Sequence, residues 1–488
     1  MSVVTAKVYK NFINGQWVSS STNEYYKVYN PANTEEVIGE FPLSTEEDVE
    51  KAVQGSYEAF QTWKKVPASE RAKYLYKFIE LLEQNTERLG EALCKEQGKP
   101  LKEAVTEAVR GVSEMRFVAG EAVRLDGVTL PSDRPGVLAM STREPIGVIA
   151  AITPWNFPIL TPLRKIMPAL IAGCTVVLKP ATDTPLTSVI LLELLEKVGL
   201  PSGVVNLVIG SGRKVGDALV GHSLISGVSF TGSTQVGRSI SLTAARTFKK
   251  VQLEMGGKNP VVVADYSDLE HAATQIIGSA YANAGQRCTS ISRVIVLEKH
   301  AEELEKLLVE KVKQFKVGNG MDEETTIGPI VSENALNGLL EYMEIAKQEG
   351  AEIVLGGKRL TGGQYDSGYF FEPTVIKNVK PEMRIAKEEI FGPVLVILRT
   401  NSFEEAIEIC NNTEYGLTAS IFTDNMDWGY SFLENVQSGM IHVNNGTSSE
   451  GHMPFGGVKN SGLGVYSIGG TNKDFYTDLK VSYIQHRK

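Results

Sequence analysis

Apolar residues recur at two periods along this chain, and the switches between them mark out its elements. Residues 8–45 hold short alternating runs broken by turn residues, as in Ile13-Asn14-Gly15-Gln16-Trp17-Val18 and Tyr29-Asn30-Pro31-Ala32, and these predict small strands. At Ser44 the period becomes helical. Ser44-Thr45-Glu46-Glu47 reads as a capping box closed by its acid, and amphipathic helices are expected to about Val123, with breaks near Val66-Pro67 and at Gly98-Lys99-Pro100. The dense charge over 69–84 and 86–97 reads as solvated helix faces. Residues 124–145 lose the helical period; Asp126-Gly127, Leu130-Pro131 and Arg134-Pro135-Gly136 punctuate extended pieces and predict a protruding hairpin.

From Pro145 to Gly256 short, almost continuous apolar runs alternate with helical ones. Strands are expected at 147–152, 175–178, 204–208, 227–230 and 251–253, with a helix over 186–198 stopped by Gly199. Strands of this kind separated by helices predict a doubly wound parallel sheet, buried on both faces, with ligands at the carboxyl ends of its strands. A second alternating region runs from Asn259 to about Asn445. Its first helix is expected to open at the capping box Ser267-Asp268-Leu269-Glu270. Leu269, Ala272, Ala273, Ile276, Ile277, Ala280 and Tyr281 form its apolar stripe, and it should end near Ala284-Gly285, leaving Cys288 in the loop before the next strand. The closing run Leu479-Lys480-Val481-Ser482-Tyr483-Ile484 alternates as an edge strand should.

Length adds that 488 residues suffice for two to four domains and a large core. A net charge of −9 argues against a nucleic-acid or anionic-membrane surface, since either would need a basic patch. The apolar run 166–178 is interrupted by Pro168 and is too short to span a bilayer. The opening Met1-Ser2-Val3-Val4-Thr5-Ala6-Lys7 lacks the apolar stretch of a secretory leader, so a cytoplasmic protein is expected. The four cysteines are scattered, no CxxC occurs and the six histidines show no HxxxH spacing, so no metal site is expected. Cys94, Cys174 and Cys410 sit in apolar or helical stretches and read as reduced core thiols.

Cys288 is different because of its surroundings. A lone cysteine is more often a small buried hydrophobe than a catalyst. Here it lies in a loop, where reactive groups are usually presented, downstream of Glu254-Met255-Gly256-Gly257-Lys258-Asn259-Pro260. A thiolate is a strong nucleophile, and a thioester formed on it needs an activated water to leave; Cys288 and Glu254 suit those two roles, although spacing alone does not bring them together. The turn Thr231-Gly232-Ser233-Thr234-Gln235-Val236-Gly237 opens a helix and would let backbone N–H groups approach a phosphate, but a plain glycine-rich turn fits it equally well.

Taken in order, Pro154-Trp155-Asn156-Phe157-Pro158, Lys179-Pro180, Phe230-Thr231-Gly232-Ser233-Thr234, Leu253-Glu254-Met255-Gly256-Gly257-Lys258, Gly285-Gln286-Arg287-Cys288, Glu388-Glu389-Ile390-Phe391-Gly392-Pro393 and Pro454-Phe455-Gly456-Gly457 resemble the motifs of the aldehyde dehydrogenase superfamily, over essentially the whole chain. The resemblance implies two doubly wound α/β domains with a small β arm. Residues 1–123 and 145–256 would bind a dinucleotide, 257–456 would carry the nucleophile, and 124–144 with 470–488 would form an arm that adds to a neighbour's sheet in a homodimer or homotetramer. Cys288 would attack the aldehyde, Asn156 and the Cys288 N–H would hold the oxyanion, and Glu254 would activate water. Thr153, Trp155, Lys179, Thr182, Gly232, Ser233, Glu389 and Phe391 would line the cofactor cleft, with Lys179 on the adenosine ribose, Ser233 on a phosphate and Glu389 on the nicotinamide ribose. Trp155 and Phe391 could equally be packing residues. Gly256, Gly257, Gly456 and Gly457 are expected to serve tight turns.

One departure bears on the cofactor. Many NAD-preferring members carry Glu three residues after the position of Lys179; here Thr182 stands there and would not repel a 2′-phosphate, so NADP should be accepted alongside or ahead of NAD, unless Asp183 restores discrimination. The substrate pocket is expected to involve Phe157, Leu160, Arg164, the neighbours of Cys288 and residues 446–453. Arg164 resembles succinate-semialdehyde dehydrogenases, and Cys288-Thr289-Ser290-Ile291-Ser292-Arg293 with Phe475-Tyr476-Thr477 resembles 2-oxoglutarate-semialdehyde (2,5-dioxopentanoate) dehydrogenases. A guanidinium can grip a carboxylate bidentately, so a carboxylated semialdehyde is the expected substrate, with a salt bridge at the pocket rim as the plainer role for Arg164. The alternatives are a broad aliphatic or aromatic aldehyde dehydrogenase, an acyl-CoA-forming relative (which tends to lack the Glu254 equivalent), a cofactor-free thiol hydrolase (which would need a His base) and a non-catalytic structural use of the fold.

Overall fold

The computed structural model of the chain describes residues 6–486, so the outermost residues of the spans 1–123 and 470–488 lie outside it. Two open sheets dominate. The first has eight strands, in the order Gly462–Gly464, Lys250–Glu254, Ile225–Thr231, Val148–Ile152, Thr175–Lys179, Val205–Leu207, Asn11–Ile13 and Gln16–Val18. Its five inner strands are parallel and the outer three join antiparallel. Every residue of Val148–Ile152 and Thr175–Lys179 is buried, as strands covered on both faces require. Ile149, Ala151, Val176 and Leu178 feed one core, while Val148, Ala150, Ile152 and Val177 feed another. The winding reverses between Val148–Ile152 and Ile225–Thr231, which puts a crevice at the carboxyl ends of those strands.

The second sheet has seven strands, in the order Glu352–Leu355, Thr374–Lys377, Val394–Thr400, Ile291–Leu297, Asn259–Val263, Thr418–Phe422 and Met440–Val443, parallel except for the first pair. Cys288 precedes Ile291–Leu297 and so sits at the amino ends of this sheet. Glu254 ends a strand of the first sheet, and Asn259 begins one of the second five residues later. The chamber therefore lies where carboxyl ends of one sheet face amino ends of the other. Strands Thr129–Leu130, Val137–Pro145 and Thr477–Gln485 form a separate antiparallel sheet. Among the described residues no helix is long and apolar enough to cross a membrane.

Two helix starts differ from the sequence expectation. Thr45, not Ser44, caps Glu46–Trp63, and the Thr45 N–H donates to Asp48 at 2.9 Å, so Asp48 takes the place read for Glu47. Ser44 is drawn inward to accept from Asn11 Nδ2 at 2.7 Å. Likewise Asp268, not Ser267, caps Leu269–Tyr281, accepting from the His271 N–H at 2.9 Å, while the Ser267 N–H donates to Asp424. In both pairs of adjacent cap formers, the tertiary partner decides which one caps. Leu269–Tyr281 also ends three residues before Ala284, because Ala282 turns extended and Asn283 and Ala284 after it are left-handed.

Candidate active site

The helix Leu160–Ala172 forms one wall of the chamber. It continues through Pro168 and is seated by side chains from far along the chain. Glu107 accepts the Ile159 and Leu160 N–H groups at 2.9 and 3.0 Å, and Arg71 donates to the Ile171 carbonyl from Nε and Nη2 at 3.1 and 2.7 Å. An acid at the amino end and a guanidinium at the carboxyl end both oppose the helix dipole.

Cys288 is presented by an unusual backbone. Asn283 (φ 54°), Ala284 (φ 52°) and Gly285 (φ 67°) are left-handed in succession. A Cβ on Gly285 would also meet the Gly392 carbonyl oxygen at 2.1 Å. Non-glycine residues pay of order 1–3 kcal/mol for such conformations and hold them only where surroundings enforce them. Here the Asn283 N–H donates to Glu103 at 2.8 Å, and Gln286 bonds to the Asn283 and Pro329 carbonyls and the Val331 N–H. Asn259 Nδ2 then fixes the Cys288 carbonyl at 2.7 Å and that of Ser290 at 2.8 Å. The Cys288 N–H has no hydrogen-bond partner among the described residues.

A cavity of about 280 Å³ brings Cys288, Glu254 and Asn156 together, with Trp155, Gly232 and Ser233 from loops after strands of the first sheet and Glu389 and Phe391 from the segment before Val394–Thr400 of the second. Phe157, Leu160 and Arg164 line it from the site helix and the turn that precedes it. Trp155 and Phe391 meet edge to face at 5.4 Å between centroids. Asn156 Nδ2 donates to the Gln286 carbonyl at 2.9 Å. Burial pushes the Cys288 thiol up to about 12, reinforced by Glu254 and Glu389 and opposed by Arg287 and Arg164. Burial also raises the Glu254 carboxyl, against the pull of Lys165 and Ser467, and its Oε2 is buried without a partner. Burial likewise lowers the Lys165 ammonium, which donates to Ser229 Oγ at 3.0 Å. With both raised by burial, the Glu254 carboxyl and the Cys288 thiol must each give up a proton before the one can serve as a base and the other as a nucleophile.

Thr153, Lys179 and Thr182 stand outside that chamber, farther along the crevice. The Thr153 N–H donates to the Lys179 carbonyl at 3.1 Å, so the two strand ends are adjacent. Thr153 Oγ1 is buried without a partner. Among the described residues Lys179 Nζ reaches only the Pro180 carbonyl, at 2.9 Å, and burial pushes it down to about 8. Thr182 is half-buried and its carbonyl accepts from Tyr26. Ser233 caps the helix Thr234–Ala245 at the mouth of the crevice. Glu389 accepts the Gly257 N–H at 2.9 Å, and burial raises it to about 7. A Cβ on Gly256 would meet Glu389 Oε2 at 2.2 Å, on Gly257 the Cys288 carbonyl oxygen at 2.8 Å, on Gly456 the Tyr466 ring at 2.5 Å and on Gly457 Ser461 Cβ at 2.5 Å. None of the four has positive φ, so they are required by close approach and not by the turns expected of them. An unpaired buried hydroxyl, a free carboxylate oxygen and an open helix start along one crevice fit a dinucleotide.

Arg164 is engaged. Its Nε and Nη2 donate to Glu114 at 2.8 and 2.7 Å, and its guanidinium lies 5.2 Å from the Phe455 ring centre. Arg110 donates to the same carboxylate at 2.8 Å and to Ser449, the part of 446–453 that reaches the cavity. Burial opposes ionisation of Glu114, but Arg164 and Arg110 outweigh it and hold the carboxyl below its ordinary value. Two guanidiniums thus share one carboxylate. Arg287 adds a third to the lining, with Nε buried and unpartnered. Sequence reading missed Arg110, Glu114, Lys165 and Asn259. The i, i+4 spacing of Arg110 and Glu114 was a signal for that pair; the others had none.

Comparison with known proteins agrees with this geometry. The model of the aldehyde dehydrogenase family matches residues 17–482. Over 487 residues the chain is 43% identical to the alpha-ketoglutaric semialdehyde dehydrogenase of Bacillus subtilis (strain 168), covering 99% of this chain and 100% of that one. It is 40% identical to the mitochondrial succinate-semialdehyde dehydrogenase of Arabidopsis thaliana, covering 93% and 85%. A solved 3,6-anhydro-L-galactose dehydrogenase, in complex with NADP, superposes with a TM-score of 0.96 at 39% identity, covering 98% of this chain and 100% of that one. The chain belongs to the aldehyde dehydrogenase family. It is an oxidoreductase that acts on an aldehyde with a nicotinamide dinucleotide.

Proposed function

We propose that the substrate is a carboxylated semialdehyde, with 2-oxoglutarate semialdehyde first and succinate semialdehyde second. The observation that carries this reading is the guanidinium cluster in the wall of the Cys288 chamber: Arg164 and Arg110 outnumber the Glu114 carboxylate between them, and Arg164 Nη1 has no partner among the described residues. The relative named for alpha-ketoglutaric semialdehyde supports the five-carbon choice. Cys288 adds to the aldehyde carbon as thiolate, and the Asn156 amide and the Cys288 N–H receive the oxyanion. The bound dinucleotide supplies the hydride acceptor. Glu254, raised by burial, then takes a proton from the water that releases the acid from the Cys288 thioester. Trp155, Gly232, Ser233, Glu389 and Phe391 bind the dinucleotide near the chamber, and Thr153, Lys179 and Thr182 bind it farther out.

Thr182 leaves room for a 2′-phosphate, so NADP is accepted alongside NAD; the NADP complex of the 3,6-anhydro-L-galactose enzyme is in keeping with this. Residues 1–123 with 145–256 and residues 257–456 act as the dinucleotide and catalytic halves. The sheet containing Val137–Pro145 and Thr477–Gln485 serves as the arm of a homodimer or homotetramer. Free buried thiols at Cys94, Cys174 and Cys410 suit a reducing, cytoplasmic compartment.

The test is reduced-cofactor formation from 2-oxoglutarate semialdehyde, succinate semialdehyde, benzaldehyde and a simple alkanal, each with NAD and NADP. The carboxylated substrates should lead in kcat/KM, Arg164→Ala should erase that lead, and Cys288→Ala should be inactive. A lead for benzaldehyde or the alkanal overturns the substrate class in favour of a broad aldehyde dehydrogenase.

A further inference from the structure

Lys99, just before the helix Leu101–Gly120, and Glu107, in its second turn, form a buried ion pair that the reaction above does not use. Lys99 and Glu107 have side chains 2% exposed, and Lys99 Nζ lies 2.7 Å from Glu107 Oε2. Such a pair costs desolvation that its own attraction barely offsets, so stability is a weak reason for its presence. Its other contacts converge on one short segment. Lys99 Nζ donates to the backbone carbonyl of Asn156 at 2.9 Å and lies 4.5 Å from the ring centre of Phe157. Glu107 uses its second oxygen on the N–H groups of Ile159 and Leu160. Asn283, from the strained turn before Cys288, donates to the same Asn156 carbonyl at 3.3 Å. The two charges therefore hold both ends of residues 156–160, one by a carbonyl and the other by two N–H groups.

We propose that Lys99 and Glu107 are a positioning pair for Asn156: they fix the backbone that carries its amide, and thereby its distance from the oxyanion that forms at Cys288. This rests on the reading of Asn156 as an oxyanion donor. An amide donor has no net charge, so its worth depends on being in place before the oxygen becomes negative. A misplacement of about 1 Å is enough to cost about 100-fold in rate. The ammonium is suited to the task because it satisfies the Asn156 carbonyl, the Glu107 carboxylate and the Phe157 face from one point.

The experiment compares Lys99→Met, Asn156→Ala, the two combined, and Lys99→Met/Glu107→Gln. The last removes both charges but keeps an acceptor for the Ile159 and Leu160 N–H groups, so the site helix stays capped. Lys99→Met should lower kcat about 10- to 100-fold. Dinucleotide affinity and the rate of Cys288 alkylation by iodoacetamide should stay within about twofold of wild type, since neither involves an oxyanion. Lys99→Met/Glu107→Gln should show the same loss of kcat with an unchanged melting temperature. In the Asn156→Ala background, Lys99→Met should cost less than about twofold, because the group it positions is gone. If the Lys99 and Asn156 losses multiply, or if Lys99→Met/Glu107→Gln is as active as wild type, the pair only caps a helix and the proposal is overturned. If Asn156→Ala alone keeps full kcat, the oxyanion reading itself fails, a result separate from either.

Discussion

At the scale of single residues, Cys288 is held as a thiol. Burial, then Glu254 and Glu389, push it up to about 12, so the enzyme without substrate or cofactor should react slowly with iodoacetamide at neutral pH. The alkylation rate should keep rising beyond pH 9, and Glu254→Gln should move that profile to lower pH, since removing a nearby anion favours the thiolate. A profile that levels off near pH 7 would contradict this environment. That Cys288, Glu254 and Asn156 meet in one cavity was readable from the sequence because motif order carries them. A salt bridge was the plainer role read for Arg164, but its partner was not legible: that it shares Glu114 with Arg110 depends on two helices packing side by side, which no spacing announces. Glu114→Gln should therefore free Arg164 from its ion pair, change KM for a carboxylated aldehyde severalfold and leave the alkanal nearly unaffected; equal effects on both substrates would count against the cluster as a carboxylate site.

Elements were read better in kind than in detail. The five inner strands of the first sheet fall within two residues of expectation because buried parallel strands are continuously apolar. The caps slipped by one residue at Ser44-Thr45 and Ser267-Asp268, where adjacent cap formers leave the choice to tertiary contacts. The left-handed turn at Asn283, Ala284 and Gly285 was invisible, since alanine carries no propensity for it. Gly285→Ala tests what that turn does. Its Cβ would strike the Gly392 carbonyl oxygen, and a loss of about 1–3 kcal/mol in unfolding free energy is expected, with Cys288 alkylation altered as the loop shifts. Thermal unfolding and alkylation together distinguish a moved loop from a merely weakened fold.

Across the whole molecule, buried acids set part of the response to pH. Glu96 accepts the Leu186 and Thr187 N–H groups, and burial raises it to about 7, as it does Glu389. Both hold a proton in the folded chain at pH values where the unfolded chain, with ordinary carboxyls, has released it. Their contribution is complete below about pH 4.5 and is lost as pH rises through about 7. The unfolding free energy of wild type minus Glu96→Gln should accordingly decline from pH 5 to pH 8, measured by urea titration. The arm offers a second expectation: Leu479, Val481 and Tyr483 are 59%, 59% and 63% exposed, so Val481→Lys with Tyr483→Lys should reduce the mass measured by light scattering if this sheet joins subunits. One doubly wound sheet and a second alternating βα region were legible from alternation, and the family resemblance made the second doubly wound as well; that one sheet presents carboxyl ends and the other amino ends to the chamber was not legible, because period carries no information on how two sheets are docked. Arg71 and Glu107 grip the site helix by its backbone, and neither depends on the side chains at 160, 161 or 164. Substrate range can therefore be rewritten at those positions by mutation while the scaffold stays in register, which makes this helix the natural place to breed new specificities into the enzyme.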